Sequence, residues 1–270
     1  MTTAISRLCL SDGNAGDRKK TRAALGFIVT PVAGVHPSAV AESAYPETTS
    51  AYAEEGSLAH AICARKLKRA LGLPHREEDI EIEELRDYYS EEMEGHTDRF
   101  VGHVLARYEE ARRECHGARL LIETRLDFSF FVPEGFGTGD ALIVTDGRIE
   151  VIDFKYGKGV RVDAVENPQM KLYALGALDE FDYRYTIDEV RMTIVQPRLG
   201  HLSEWSQSVE TLLAWANNEL HPLARLAFIG KGARHAGEWC RFCRAKPDCA
   251  MHRAYGLTQD ARLDFHGMDL

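Results

Sequence analysis

Asp140-Ala-Leu-Ile-Val-Thr-Asp-Gly-Arg-Ile-Glu-Val-Ile-Asp-Phe-Lys155 contains the two apolar runs and the tight turn whose reading decides the fold. Asp146-Gly147 between two apolar runs is the short-range signature of a two-residue β-hairpin loop. With those two residues as the loop, Thr145 faces Arg148, and five steps further out Asp140 lies directly across from Asp153. Side chains alternate with a period of two, so Lys155 projects from the same face as Asp153. Two carboxylates and one ammonium thus share a patch of sheet. Like charges opposed across strands are destabilising, by up to about 1 kcal/mol. A divalent cation between the carboxylates removes that repulsion, and hard oxygen ligands suit Mg²⁺ or Mn²⁺. Such an ion can polarise a phosphoryl oxygen, and Lys155 beside it can orient water or stabilise developing negative charge. This is the equipment of phosphodiester hydrolysis. The plainer reading is that Asp140 ends a loop and that Asp153 and Lys155 are an ordinary exposed ion pair. Against it stand the register and the flanks, Gly137-Thr-Gly-Asp140 and Tyr156-Gly-Lys-Gly159, whose glycines let backbone approach a ligand.

Outward from the hairpin, Arg119 to Val132 alternates and is rich in β-branched and aromatic residues, which predicts a strand before it. The hairpin strands themselves are predicted over Asp140–Thr145 and Arg148–Tyr156. Glu166 to Leu178 reads as a helix with Pro168 in its first turn. Val190, Met192 and Ile194 alternate as a fourth strand ended by Pro197, and Ser208 to Leu220 reads as another helix. Upstream, a helix is predicted to begin near Ser57, capped by that serine. Leu58, Ile62, Leu67 and Leu71 form its apolar stripe, and Gly72-Leu-Pro74 stops it. A second helical stretch runs from about Thr97 to Cys115. The order is helix, three strands, helix, strand: an α/β (α+β) domain with helical additions. Residues 1–35 show no clear period and form a poorly patterned N-terminal segment. Residues 36–230 make the domain, and 231–270 a cysteine-bearing tail packed on it.

The chain has 270 residues and 30.3 kDa, 44% hydrophobic and 28% charged, which describes a globular chain with a core. No window approaches the roughly 18 unbroken apolar residues of a membrane span. Met1 to Lys20 lacks the apolar stretch of a secretory signal. Six cysteines without such a signal argue against a disulfide framework and for the cytoplasm. A net charge of −9 speaks at first against nucleic acid. However, Arg76 to Glu94 holds ten acids and two bases, a local −8, so the rest of the chain is close to neutral and free to carry basic patches. The acidic run itself reads as a solvated helix face or loop. His60, placed in the first turn of the helix from Ser57, faces a positive helix end that favours the neutral, metal-ligating ring.

Gly137-Thr-Gly-Asp-Ala-Leu-Ile143, Val151-Ile-Asp-Phe-Lys-Tyr-Gly-Lys-Gly159 and Asn167-Pro-Gln-Met-Lys-Leu-Tyr-Ala-Leu175 together resemble the PD-(D/E)XK nuclease superfamily. Within it they are similar to the branch of RecB-type nuclease domains and CRISPR-associated adaptation nucleases, and most of all to an uncharacterised phage and prophage family. The resemblance spans about residues 36–250 and implies a restriction-endonuclease-like αβββαβ core, the order read above. It implies Asp140 and Asp153 as Mg²⁺ or Mn²⁺ ligands, with the carbonyl of Phe154 joining them, and Lys155 as the catalytic lysine. Gln169 and Tyr173, four apart on one helix face, correspond to a pair that lines the DNA channel in this branch. Gly56-Ser-Leu-Ala-His60 fits the branch's G-x-x-x-H histidine, which implies a metal role for His60. Glu123 is a further carboxylate, more simply read as a surface strand residue. DNA is the implied substrate, with hydrolysis at ends or on single strands. A phage recombination or single-strand-annealing protein is the implied partner, and both ring-forming and monomeric forms are known among similar nucleases.

The tail carries Trp239-Cys-Arg-Phe-Cys243 and Cys249, a C-x2-C-x5-C spacing that reads as a metal site. Similar nucleases hold a structural [4Fe–4S] cluster on three such cysteines and one upstream cysteine. Here His36-Pro-Ser-Ala-Val40 stands where a cysteine-containing stretch is expected, so His36 replaces the upstream thiolate, and zinc or a cluster with altered ligation both fit three cysteines and a histidine. Cys9, Cys63 and Cys115 are spare, Cys63 reading as core. Seven bases against three acids over 219–253, with Trp239 and Phe242 among them, suggest a phosphate-tracking surface or the screening of a metal–thiolate site. The competing function is a non-catalytic nucleic-acid-binding module with a structural Fe–S or zinc site.

Overall fold

The structure is a computed structural model that describes residues 44–46, 50–231, 236–237, 240 and 243–256. Three helices come first: α1 (Ala51–Ala70), α2 (Arg76–Glu84) and α3 (Glu91–Glu114). Strands β1 (Arg119–Asp127), β2 (Phe136–Thr145) and β3 (Gly147–Phe154) follow, then helix α4 (Pro168–Phe181) and strands β4 (Ile187–Gln196) and β5 (His201–Ser208). Helix α5 (Val209–Trp215), a π-helical turn (Ala216–Leu220) and α6 (His221–Phe228) close the domain. The αβββαβ order is therefore present, extended by β5.

One sheet in the order β1-β2-β3-β4-β5 forms the middle layer, antiparallel throughout except for the parallel β3–β4 pair. On one face Leu142, Val144, Ile149, Val151, Val190 and Met192 pack against α4, with Leu212 and Leu220 beyond. On the other, Ile143, Ile152 and Phe154 meet Leu58 and Ile62 of α1 and Phe100 and Val104 of α3. Strands β2 and β3 are covered on both sides, which is why their sequences read as nearly unbroken apolar runs. Helix α4 lies close on the sheet at Gly176. A Cβ there would stand 2.9 Å from the Leu126 side chain and 3.1 Å from its backbone carbon, so glycine is what permits the approach.

Thr145 pairs with Arg148 and Ala141 with Ile152, the register set by the turn. Gly147 takes φ 89° in that turn, and its N–H donates to the Thr186 carbonyl at 2.6 Å, tying the hairpin to β4.

One sequence expectation is corrected, the start of α1, and two features are added to the sequence reading. Helix α1 starts at Ala51, capped by Ser50, whose hydroxyl accepts the Ala53 N–H at 3.2 Å, while Ser57 lies inside the helix and donates to the Ala53 carbonyl. The good helix formers Ala51, Ala53, Glu54 and Glu55 carry the helix upstream through Gly56. The acidic run is largely the solvated face expected, with seven of its ten acids exposed, but it is organised by two helix starts. Glu77, Glu78 and Asp79 occupy the first turn of α2, and Glu91, Glu92 and Glu94 that of α3, where a helix N-terminus favours negative charge. Glu78 is fully buried and bound by Lys68 at 2.7 Å, and Lys66 holds Glu94 and Asp98. Finally, β5 was unassigned in the sequence because its inward residues are mostly polar: His201, Ser203, Trp205 and Gln207.

Candidate metal centre

The candidate site forms at the end of β3, beside the middle of β2 and of β1. Beyond Ala141–Ile152 the β2–β3 register brings Asp140 across from Asp153, and beyond Ile122–Ala141 the β1–β2 register brings Glu123 across from Asp140. Three carboxylates thus stand in a row across three neighbouring strands. Glu123 has φ 49°, a left-handed conformation that a residue with a Cβ adopts only at a cost of order 1–3 kcal/mol. The alternation of β1 breaks there. Leu120 and Ile122 pack in the α1–α3 layer, whereas Leu126, an even number of residues on, packs in the α4 layer.

His60 comes from the middle of α1, not from its first turn, because the helix starts nine residues earlier. The positive helix end therefore does not set its state. His60 Nδ1 lies 2.9 Å from Asp140 Oδ1. A carboxylate only accepts, so Nδ1 carries the hydrogen and Nε2 of the neutral ring is the nitrogen able to ligate a cation. The Phe154 N–H donates to the other oxygen of Asp140 at 2.6 Å. The Phe154 ring turns into the core, edge-on to His60 at 5.2 Å. Burial works to raise the Asp140 carboxyl, but His60, the Phe154 N–H and Lys155 outweigh it and hold Asp140 below the ordinary range. Asp153 goes the other way. Burial lifts it, Asp140 adds to the lift, and Lys155 only partly opposes them.

Lys155 Nζ is shared: 3.2 Å and 2.9 Å from the two oxygens of Asp153, and 2.9 Å from Gln169 Oε1. The contact with Asp153 Oδ2 is an ion pair without hydrogen-bond geometry, and that buried oxygen has no hydrogen-bond partner among the described residues. Gln169 also donates to Asp153 at 3.3 Å and to Tyr173 Oη at 3.0 Å. Asn167 caps α4 by accepting the Gln169 and Met170 N–H groups, which fixes where Gln169 starts. Tyr173 is 5% exposed, and its hydroxyl accepts from the Gln169 amide. Burial pushes its phenol well above the ordinary value, so it stays protonated.

Among the described residues, His60, Glu123 and Asp140 are the one group of three metal-ligating side chains whose ligand atoms lie within 4.8 Å of one another. Glu123 is half-buried within this group, not the surface strand residue that the sequence suggests. The donor set, one imidazole nitrogen and two carboxylates, fits Mn²⁺ or Mg²⁺, while Asp153 Oδ2 beside it is already paired with the Lys155 ammonium.

In the tail, Cys240, Cys243 and Cys249 are in no disulfide. Cys63 is core, as expected, at 3% exposure. Cys9 and His36 lie outside the described residues. The tail is tied to the segment before α1: Tyr45 Oη donates to Asp248 Oδ2 at 2.6 Å, and Arg244 donates to the Tyr45 carbonyl at 3.2 Å. The bond to Asp248 lifts the Tyr45 phenol above its ordinary value, and the charges of Cys243 and Cys249 add to the lift, which puts both sulfurs in its neighbourhood.

Residues 34–269 match the family model DUF2800, described as a protein of unknown function. The chain belongs to the DUF2800 family. That match covers the sheet, the flanking helices and the cysteine tail of this DUF2800 protein and begins just before His36. Among solved structures, the DUF2800 chain is similar to the crystal structure of SSO0001, at 13% identity and a TM-score of 0.31, over 72% of this chain and 85% of that one. At that score the likeness carries no weight for fold or function. No helix among the described residues of the DUF2800 chain is long and apolar enough to cross a membrane.

Proposed function

We propose that this protein is a metal-dependent nuclease of the PD-(D/E)XK type that hydrolyses phosphodiester bonds in DNA. One observation carries the reading. Lys155 is held between Asp153 and Gln169, immediately beside three carboxylates ranked across neighbouring strands. No folding requirement explains that row, since opposed like charges weaken a sheet and Glu123 adds backbone strain. His60, Glu123 and Asp140 would hold Mn²⁺ or Mg²⁺, with Asp153 at its edge. Bound there, the ion supplies charge neutralisation and Lewis acidity toward a phosphoryl oxygen. Lys155, fixed by two acceptors and 27% exposed, reaches toward solvent as a positioned cation. It can orient the attacking water and counter charge developing on the phosphate. Gln169 keeps Lys155 aimed, and Tyr173 keeps Gln169 aimed.

The test is hydrolysis of end-labelled single- and double-stranded DNA with Mn²⁺, with Mg²⁺ and with EDTA. The parent protein should cut with at least one of the two metals and not in EDTA. Lys155→Ala should lower the rate by about 10²-fold or more, on the scale of a lost catalytic side chain, while circular dichroism stays unchanged. A parent that cuts nothing, or a Lys155→Ala variant that cuts as well, overturns the proposal.

A further inference from the structure

The hairpin of β1 and β2 runs on past the end of β3. The pairing of β2 with β3 stops where Ala141 meets Ile152, whereas β1 and β2 stay paired from Thr124 with Gly139 out to Asp127 with Phe136. These outer pairs form a two-stranded ribbon, and the pair just inside it, Glu123 and Asp140, belongs to the metal centre. Burial alternates along the ribbon. Phe136, Thr138 and Asp140 are partly exposed, and Gly137 and Gly139 between them are buried. Side chains two apart share a face, so the open face of the ribbon is the one that carries Asp140.

Arg125 stands on that face. It pairs with Thr138, it is exposed, and its guanidinium carbon lies 3.6 Å over the Phe136 ring. One pleat, about 7 Å along the strand, separates it from Glu123 and Asp140. Asp127, next outward on β1, serves the connecting loop, where it accepts the Ser129 N–H at 2.8 Å.

An exposed arginine ordinarily samples many rotamers, and ordering it for a ligand costs side-chain entropy. In contact with an aromatic face the guanidinium is held in one place, while its in-plane N–H groups keep the fork geometry that takes a phosphate with two parallel hydrogen bonds. A side chain whose only duty was to shield Phe136 from water would not need the charge. A strand of duplex DNA rises about 3.4 Å per nucleotide, so one pleat of the ribbon corresponds to one or two nucleotides. We infer that Arg125 binds a backbone phosphate of the DNA strand one or two nucleotides from the scissile bond, and that Phe136 is the platform that holds the arginine ready. This rests on the proposed nuclease function and adds to it a point at which the strand is held relative to the metal centre.

The experiment separates charge from cover. Binding of a fluorescent oligonucleotide is measured with Mn²⁺ at increasing salt, in the Lys155→Ala protein so that turnover does not interfere. The same protein is then tested with Arg125→Met, Arg125→Lys or Phe136→Leu added. A lost phosphate contact lowers the steepness of log K against log[salt] by about 0.7–0.9. Arg125→Met still covers the ring, so it should keep the melting temperature, show that loss of slope and bind several-fold more weakly at low salt. Arg125→Lys should keep the slope. Phe136→Leu should keep it too but bind more weakly, because the charge is present and no longer held. With Lys155 intact, Arg125→Met should raise the KM for DNA by a larger factor than it lowers kcat. An unchanged slope in Arg125→Met, where DNA is bound, shows that the arginine only shields the ring and overturns this contact while the nuclease reading stands. A lost slope in Arg125→Met, with no cutting by the parent, overturns the nuclease reading and leaves Arg125 as a phosphate contact. Protein that neither binds nor cuts DNA overturns both.

Discussion

Asp153 and Glu123 are each placed at a cost to the folded state, and each makes a prediction. Burial raises the Asp153 carboxyl, so the folded protein holds that proton more tightly than the unfolded chain does. The stabilising contribution of such a group is complete below its unfolded pKa and is lost as pH rises through the folded one. Wherever that proton is lost, the metal-free protein carries a buried carboxylate at a cost. Asp153→Asn should be more stable than the parent at pH 7 without metal, and the gap should close on acidification, in urea titrations at the two pH values. A variant less stable than the parent at pH 7 would count against this. At Glu123 the cost is backbone conformation. Glu123→Gly removes the strain of φ 49° and should gain about 1 kcal/mol, roughly 2 °C in melting temperature for a chain of this size. The same change should weaken Mn²⁺ binding at least tenfold by calorimetry, whereas Glu123→Gln should weaken the metal without the gain in stability. Asp140, Asp153 and Lys155 were legible because one turn fixes their register. Glu123 was not, because its strand is joined to β2 by a longer loop, and no two-residue turn sets that register.

At the level of elements, the joint between α3 and the sheet turns on a buried ion pair. Arg107 of α3 donates to both oxygens of Glu150 on β3 at 3.0–3.3 Å, and Thr193 of β4 donates to the same carboxylate at 3.3 Å. Glu150 is 3% exposed. Removing one partner of a buried pair leaves an uncompensated charge, at about 3–5 kcal/mol. Arg107→Ala should be destabilised by that amount in urea unfolding, and Arg107→Leu combined with Glu150→Leu should recover most of it. A small effect of Arg107→Ala would show that water reaches Glu150. Such a glutamate looks in the sequence like an outward residue of an alternating strand, since nothing local reveals that α3 will cover it. The same holds for β5 and for the true start of α1. The period of two and the caps are local signals that tertiary packing overrides. Strands β2 and β3 were readable because a tight turn joins two apolar runs, and β4 because Val190, Met192 and Ile194 alternate.

For the molecule as a whole, the two ends of the described chain meet: Tyr45 and Arg244 with Asp248 tie the tail to the segment that enters α1. If the tail cysteines bind metal, anaerobically purified protein should contain iron with sulfide, or zinc, by metal analysis and absorption spectroscopy. Cys243→Ala should lose it, and protease should then cut the region around 236–256 sooner. Protein purified with neither metal would refute a metal-bearing tail. The parallel pairing of β3 and β4 has its own consequence. A hairpin such as β2–β3 closes locally, but β4 can join only after the whole crossover through α4 is ordered, and His60 must arrive from 80 positions before its partner Asp140. Long loops close late. A nascent or refolding chain therefore passes through a stage with its sheet half built and its cation-binding corner still open. The corner where His60, Glu123 and Asp140 meet is assembled last, after the chain that carries it has already taken shape.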